Sequence, residues 1–175
     1  MATHRYFDTA QGRKLAYHHS EGAGPTIVFL SGFKSDMQGT KAVHLEAWAR
    51  GNGRSFLRFD YSGHGQSSGA FTDGCIGDWA EDAAAAVRHL VNGPVILVGS
   101  SMGGWIALLL AQRLEHAKVA GMVTIAAAPD FTEDSMWADF DNAQRSDLQR
   151  LGQVVLPSDY DEPYVITRRL IEDGR

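Results

Sequence analysis

The chain has 175 residues, enough for one domain with its own core, and 44% of them are hydrophobic against 21% charged. Sixteen basic and 21 acidic residues give a formal net charge of −5, so the composition does not show the excess of basic residues that is typical of proteins that bind nucleic acid or an anionic membrane surface. Cys75 is the one cysteine, which excludes an internal disulfide, and because no apolar signal core or membrane-spanning stretch is present, a cytoplasmic location is expected.

An N-terminal hairpin and four apolar runs are the predicted strands. Arg5–Thr9 and Lys14–His19 flank Gln11-Gly12, a pattern typical of two strands joined by a turn. The apolar runs, each followed by small or turn-forming residues, span 26–30, 56–60, 95–98 and 119–125. Because these runs show no polar alternation, we expect strands that are buried on both faces.

Helical patterns lie between the apolar runs. Apolar residues recur at helical spacing in residues 40–50 and 76–91, and glycine-containing turns follow both segments. Residues 101–114 are apolar nearly all round, as expected of a helix packed onto a sheet. The alternation of strands and helices predicts an α/β fold with a doubly wound, mostly parallel sheet.

The character of the chain changes after Pro129. Residues 130–175 contain five arginines, eleven acidic residues and no lysine, and they show no strong pattern for a buried strand. Weak helical patterns over 131–152 and 161–172 predict a helical cap or lid. We therefore expect a core of residues 1–129 followed by a cap of residues 130–175.

The pattern G-x-S-x-G stands between an apolar strand and an apolar helix and is centred on Ser101. A serine nucleophile at such a tight turn has a strained backbone and requires small neighbours, which Gly99 and Gly103 provide. The turn also places Ser101 at a helix N-terminus. There the N–H of Met102 can face a developing oxyanion with help from the helix dipole.

Two other interpretations of this segment are weaker. A glycine-rich turn without chemistry would not require a serine between an apolar strand and an apolar helix. A dinucleotide fingerprint, G-x-G-x-x-G, needs a glycine where Ser101 stands, because the pyrophosphate must approach the backbone closely. No phosphate-binding lysine follows either.

Two further loops follow predicted strands at the same edge of the sheet. Acyl transfer needs a second oxyanion donor from the loop after an earlier strand, and the N–H of Phe33, in Ser31-Gly32-Phe33, is the candidate. His64 lies in the loop after the second apolar run and is a possible base. We interpret it as a polar loop residue among turn-forming glycines.

One branch of the α/β-hydrolase superfamily resembles this chain in four segments taken together, which are Ser31-Gly32-Phe33, Met37–Ala42, Arg58–Gly65 and Gly99–Trp105. This branch includes the mitochondrial acyl-glucuronide esterase and palmitoyl-protein thioesterase and their bacterial relatives. The resemblance covers roughly residues 24–130. It implies hydrolysis of small-molecule carboxylic esters or thioesters without a metal or organic cofactor, with Ser101 as nucleophile and Met102 and Phe33 as oxyanion donors.

The chain departs from the superfamily after the nucleophile. The superfamily supplies Ser, then Asp or Glu, then His, whereas the only histidine after Ser101 is His116. A helix that rises ~1.5 Å per residue separates the two, so His116 lies about 20 Å from Ser101. An unassisted serine is a poor nucleophile near neutral pH. We therefore expect the sheet to be incomplete at its C-terminal strands and the 175-residue chain alone to be inactive.

Three accounts of this departure remain open. The chain is a fragment of a hydrolase, or another chain supplies the missing strands, or it is a truncated, non-catalytic binding or interaction module. An open strand edge tends to pair or aggregate, which makes the third account the least favourable physically.

Overall fold

The computed structural model describes residues 4–157 and 163–175, and its central feature is a six-stranded sheet. In chain order the strands are β1 (Arg5–Asp8), β2 (Lys14–Ser20), β3 (Ala23–Leu30), β4 (Arg54–Phe59), β5 (Val95–Ser100) and β6 (Val119–Ile125). Across the sheet their order is β1-β2-β4-β3-β5-β6. Strands β4, β3, β5 and β6 are parallel, and the β1–β2 hairpin is antiparallel and pairs through β2 with β4. The predicted hairpin and the mostly parallel α/β sheet are confirmed.

Three helices cover the two faces of this sheet. They are α1 (Thr40–Gly51), α2 (Ile76–Leu90) and α3 (Met102–Arg113). One face forms the larger core with α2 and α3, around residues such as Trp79 and Ile106. The other face forms a smaller core with α1, where Phe29 and Phe56 pack with Ala49. All three helices lie within two residues of their predicted bounds.

Strand β6 differs from its prediction. In the part of the chain that the structure describes, β6 is the last strand of the sheet, and its side chains are partly or fully exposed. Val123 is 52% exposed, although it is registered with Val98 of β5 on the same sheet face. The prediction that all four runs are buried on both faces is therefore wrong for β6. This strand has the apolar sequence of an inner strand, but it lies at the edge of the described sheet.

The segment after residue 129 contains helices and a β-ribbon. Its elements are a π-helical turn (Thr132–Trp137), α4 (Asn142–Leu151), β7 (Gln153–Leu156), β8 (Tyr164–Thr167) and α5 (Arg168–Asp173). The sequence predicts only helices here. Strands β7 and β8 pair in an antiparallel ribbon that the prediction missed. Residues 161 and 162, the first two of the helical pattern over 161–172, lie outside the described residues.

The C-terminal segment docks onto the N-terminal end of α2. The carboxylate of Asp173 accepts a hydrogen bond of 2.7 Å from the N–H of Gly77. The hydroxyl of Thr132 donates a hydrogen bond of 2.6 Å to the carbonyl of Gly174, which joins the π-helical turn to the end of α5. None of the helices among residues 4–157 and 163–175 is long and apolar enough to cross a membrane.

Candidate functional site

Ser101 occupies a strained turn between β5 and α3. Its φ of 55° and ψ of −121° lie in a region that L-residues rarely adopt. Two hydrogen bonds hold the turn in place: the N–H of Ser101 donates to the carbonyl of Ile125 (2.9 Å), and its carbonyl accepts from the N–H of Ala128 (3.1 Å). The residue is exposed, whereas the following Met102 is completely buried. The turn therefore presents the serine to solvent at the first turn of a helix.

The glycines around Ser101 have no room for a side chain. A Cβ atom on Gly103 would overlap the carbonyl of Leu30 at the end of β3, and a Cβ atom on Gly99 would overlap the backbone of Gly103. On Gly104, a Cβ atom would lie 2.5 Å from the Cβ of Ala127. The turn, the end of β3 and the loop after β6 are thus in close contact, as the small residues of the motif require.

The loop after β3 runs beside the serine. A Cβ atom built on Gly32 would lie 3.4 Å from the Cβ of Ser101. Phe33, the next residue, is half-buried, and its ring belongs to an aromatic cluster with ring centroids 5.0–6.3 Å from its own, formed by Phe71, Trp79, Phe131 and Tyr164. The structure therefore places the backbone of the predicted donor loop next to Ser101. It also brings two rings of the C-terminal segment onto Phe33, a contact that the sequence did not indicate.

Asp60 connects two of the loops at this edge of the sheet. Directly after β4, its carboxylate accepts hydrogen bonds from the N–H of Met37 (2.7 Å) and the N–H of Gln66 (2.8 Å). Burial raises the pKa of Asp60, and the two amide hydrogen bonds partly oppose this rise. Asp60 is not among the site residues predicted from the sequence. Its position directly after a buried strand and before a glycine-rich loop was the available signal.

A second buried carboxylate holds the other end of the loop after β4. Asp82 of α2 is fully buried and accepts hydrogen bonds from the N–H (2.9 Å) and the hydroxyl (2.6 Å) of Ser62. Its second oxygen binds Nε of Arg13 at 2.6 Å. The loop that carries His64 is therefore held on both sides of this residue. Asp82 binds Ser62 before it, and Asp60 binds the N–H of Gln66 after it.

His64 is buried within the loop and is only 5% exposed. Nδ1 lies 3.1 Å from the carbonyl oxygen of Ser62, while Nε2 is buried and has no hydrogen-bond partner among the described residues. The rings of Tyr61, Phe71 and Trp79 surround the imidazole, with centroids 5.0–5.6 Å away. Burial lowers the pKa of His64, so it is neutral at pH 7. As interpreted from the sequence, His64 is a loop residue between the turn-forming Gly63 and Gly65. Its burial among aromatic rings comes from tertiary packing and was not predicted.

The other candidate groups lie outside this arrangement. His116 is exposed in a short 3₁₀ helix (His116–Lys118) at the far end of α3 from Ser101. Cys75 is buried at the start of α2, and burial raises the pKa of its thiol to about 12. Within residues 4–157 and 163–175, no group of three or more His, Cys, Asp or Glu side chains is arranged to hold a metal ion. No histidine among the described residues hydrogen-bonds the Ser101 hydroxyl.

Comparisons with known proteins identify the fold family of the chain. A family described as having the alpha/beta hydrolase fold matches residues 25–164. Mitochondrial palmitoyl-protein thioesterase ABHD10 is 36% identical to the chain in both rat and human, over 85% of the chain. A solved structure of a putative hydrolase from Agrobacterium vitis has a TM-score of 0.91 at 40% identity and covers 99% of this chain and 71% of its own. The mouse alpha/beta hydrolase domain-containing protein 10 has a TM-score of 0.86 at 31% identity, covering 99% of this chain and 69% of its own.

Two points follow from these relatives. The chain spans about half the length of the curated relatives it matches, 49% in rat and 48% in human. The expectation of a cytoplasmic location is wrong, because those relatives are named as mitochondrial proteins. That expectation rested on the absence of an apolar leader, and such an absence does not identify a compartment.

Proposed function

The chain belongs to the α/β-hydrolase fold family, and from this premise we propose that it carries the nucleophile of a serine hydrolase that cleaves carboxylic esters or thioesters. The observation that carries the proposal is the backbone of Ser101, held at a φ of 55° between β5 and α3. A protein maintains such strain where the geometry serves a function. An exposed serine at this turn has the position of the nucleophile in acyl transfer.

In the proposed reaction, the hydroxyl oxygen of Ser101 attacks the carbonyl carbon of the ester or thioester. The carbonyl oxygen becomes an oxyanion, which the N–H groups of Met102 and Phe33 stabilise by hydrogen bonds. The hydroxyl proton of Ser101 passes through a base to the leaving oxygen or sulfur, so that collapse of this intermediate breaks the ester or thioester bond, releases the alcohol or thiol and leaves an acyl-serine. Water then attacks the acyl-serine, which releases the carboxylic acid and restores the Ser101 hydroxyl. The proximity of Gly32 to Ser101 supports the role of Phe33, and the position of Met102 as first residue of α3 supports its own.

The attack also needs a base. His64 does not fit this role, because it is buried among aromatic rings and its Nδ1 faces the Ser62 carbonyl. His116 lies beyond a 12-residue helix. We therefore propose that residues 1–175 alone hydrolyse esters weakly or not at all, with only the residual acceleration that oxyanion donors and substrate binding provide.

We further propose that residues 130–175 form a lid that takes part in substrate selection. Phe131 and Tyr164 bring rings within 5.5 and 6.2 Å of the Phe33 ring, next to the proposed oxyanion donor. An acyl group bound at Ser101 would therefore meet aromatic side chains of both the core and the lid. Such a surface favours apolar acyl groups.

The experiment is a substrate panel on the full-length protein. p-Nitrophenyl esters from acetate to long chains, together with acyl thioesters that include a palmitoyl thioester, are tested beside Ser101→Ala and Ser100→Ala. We expect Ser101→Ala to abolish turnover of every substrate and Ser100→Ala to retain it. Turnover by Ser101→Ala at the wild-type rate would refute the proposed function.

A further inference from the structure

The loop that carries Phe33 is anchored to the body of the protein at Met37. The residues on both sides, 34–36 and 38–40, are exposed, whereas Met37 is completely buried. Its N–H donates to Oδ1 of Asp60 at 2.7 Å, and its carbonyl accepts from Nη1 of Arg58 at 2.7 Å. The end of β4 therefore holds both sides of this one residue of the loop.

The loop between Gly32 and Met37 is short and closed by its own hydrogen bonds. The N–H of Ser35 donates to the carbonyl of Gly32 (3.1 Å), and the hydroxyl of Ser31 donates to the carbonyl of Asp36 (3.3 Å). Because the loop is internally tied, we expect a displacement of Met37 to reach Phe33, four residues away, and to change the direction of its N–H.

The carboxylate of Asp60 is closely fitted to its place. It is 2% exposed, and a Cβ atom on Gly65 would overlap it, so only glycine is accommodated there. Burial of the charged form raises the pKa of Asp60. A neutral amide would be less costly to bury, but it would offer one acceptor oxygen in place of two. The carboxylate therefore accepts both amides at once, which a neutral amide in the same place would not do.

We propose that Asp60 is a positioning residue for acyl transfer: by accepting the Met37 and Gln66 amides together, it fixes the loop so that the Phe33 N–H faces the oxyanion formed at Ser101. This inference rests on the proposed function. It assigns Asp60 no contact with substrate. A displacement of about 1 Å in a catalytic group costs on the order of 10²-fold in rate, which is the effect that such an anchor prevents.

The test is Asp60→Asn in the full-length protein, with Asp82→Asn as the matched control. Asparagine keeps the shape of Asp60 but replaces one acceptor oxygen with an NH₂ group. Asp82→Asn changes another fully buried carboxylate that binds Ser62 and leaves the Met37 amide bound. Because oxyanion stabilisation acts in the transition state, we expect Asp60→Asn to lower kcat at least tenfold with KM within about twofold. Asp82→Asn should lower Tm and change kcat much less.

Two outcomes overturn the inference while the proposed function stands: with Ser101→Ala inactive, either Asp60→Asn keeps the wild-type kcat, or Asp82→Asn lowers kcat equally. Turnover by Ser101→Ala at the wild-type rate refutes the proposed function, and the inference with it. If Asp60→Asn does not fold, hydrogen exchange of the wild-type protein decides the question. Exchange at the Met37 amide as slow as in β3 supports the anchor, and exchange as fast as at the exposed Lys34 overturns it.

Discussion

Gly103 contacts the end of β3 so closely that a Cβ atom on it would overlap the carbonyl of Leu30, and it would lie 2.7 Å from the carbonyl of Ser31. The first turn of α3 and the loop that carries the candidate oxyanion donor are therefore packed backbone against backbone. The geometry of each side of the candidate site depends on the other.

We expect Gly103→Ala to destabilise the protein by about 1–3 kcal/mol or more and to abolish labelling of Ser101, because the methyl group must displace β3 or α3. Thermal unfolding and fluorophosphonate labelling measure both effects. Gly51→Ala is the matched control, since nothing lies within 4 Å of a Cβ atom at that position. Labelling of Gly103→Ala at the rate of this control would contradict the packing account.

Asp173→Ala removes the acceptor that α5 provides for the Gly77 amide at the start of α2. Loss of a side-chain acceptor at the N-terminus of a helix costs about 1 kcal/mol, and the C-terminal segment should detach more often. We expect faster proteolysis within residues 130–175 and an altered preference for acyl chain length. Asp147→Ala, which removes an exposed pair with Arg150, should change neither. Equal proteolysis of both variants would show that Asp173 does not hold the segment.

The burial of His64 predicts how stability changes with pH. Its pKa is lowered in the folded protein, so between that pKa and about 6.5 the unfolded chain binds a proton that the folded chain does not. The free energy of unfolding should therefore fall as pH is lowered below about 6.5. Urea titrations from pH 7.5 to 5 should show a shallower fall for His64→Gln. His18 and His19, whose pKa values burial also lowers, contribute equally to both proteins and cancel in the comparison. Identical slopes would contradict the assignment.

The sequence predicts those parts of the fold that local patterns determine. The apolar runs 26–30 and 95–98 lie in β3 and β5, and the predicted helix 76–91 is α2. A strand buried on both faces is apolar at successive residues, and a helix with one buried face is apolar at helical spacing, so both can be recognised from the local sequence. The ribbon of β7 and β8 was missed, since its strands have four residues each and Val155 points out to solvent at 56% exposure. A strand of this kind is too short, and its apolar and polar residues alternate too little, to be recognised from the sequence.

The candidate site likewise has a part that the local sequence predicts and a part that it does not. The turn at Ser101 could be predicted, because its glycines are adjacent in the chain and each meets a steric demand. The link from Asp60 to Met37 spans 23 residues, and the rings around His64 come from three separate positions in the chain. Contacts of this kind arise only when the loops converge at one edge of the sheet, so the sequence contains no local pattern for them.

The most direct test of the account is to find which residue reacts with an active-site label. The full-length protein is treated with a fluorophosphonate, digested, and the peptides that span residues 95–113 are sequenced by mass spectrometry. We expect one adduct, on Ser101, that Ser101→Ala abolishes while thermal unfolding shows an intact fold. An adduct on Ser100, or labelling that persists in Ser101→Ala, would contradict it.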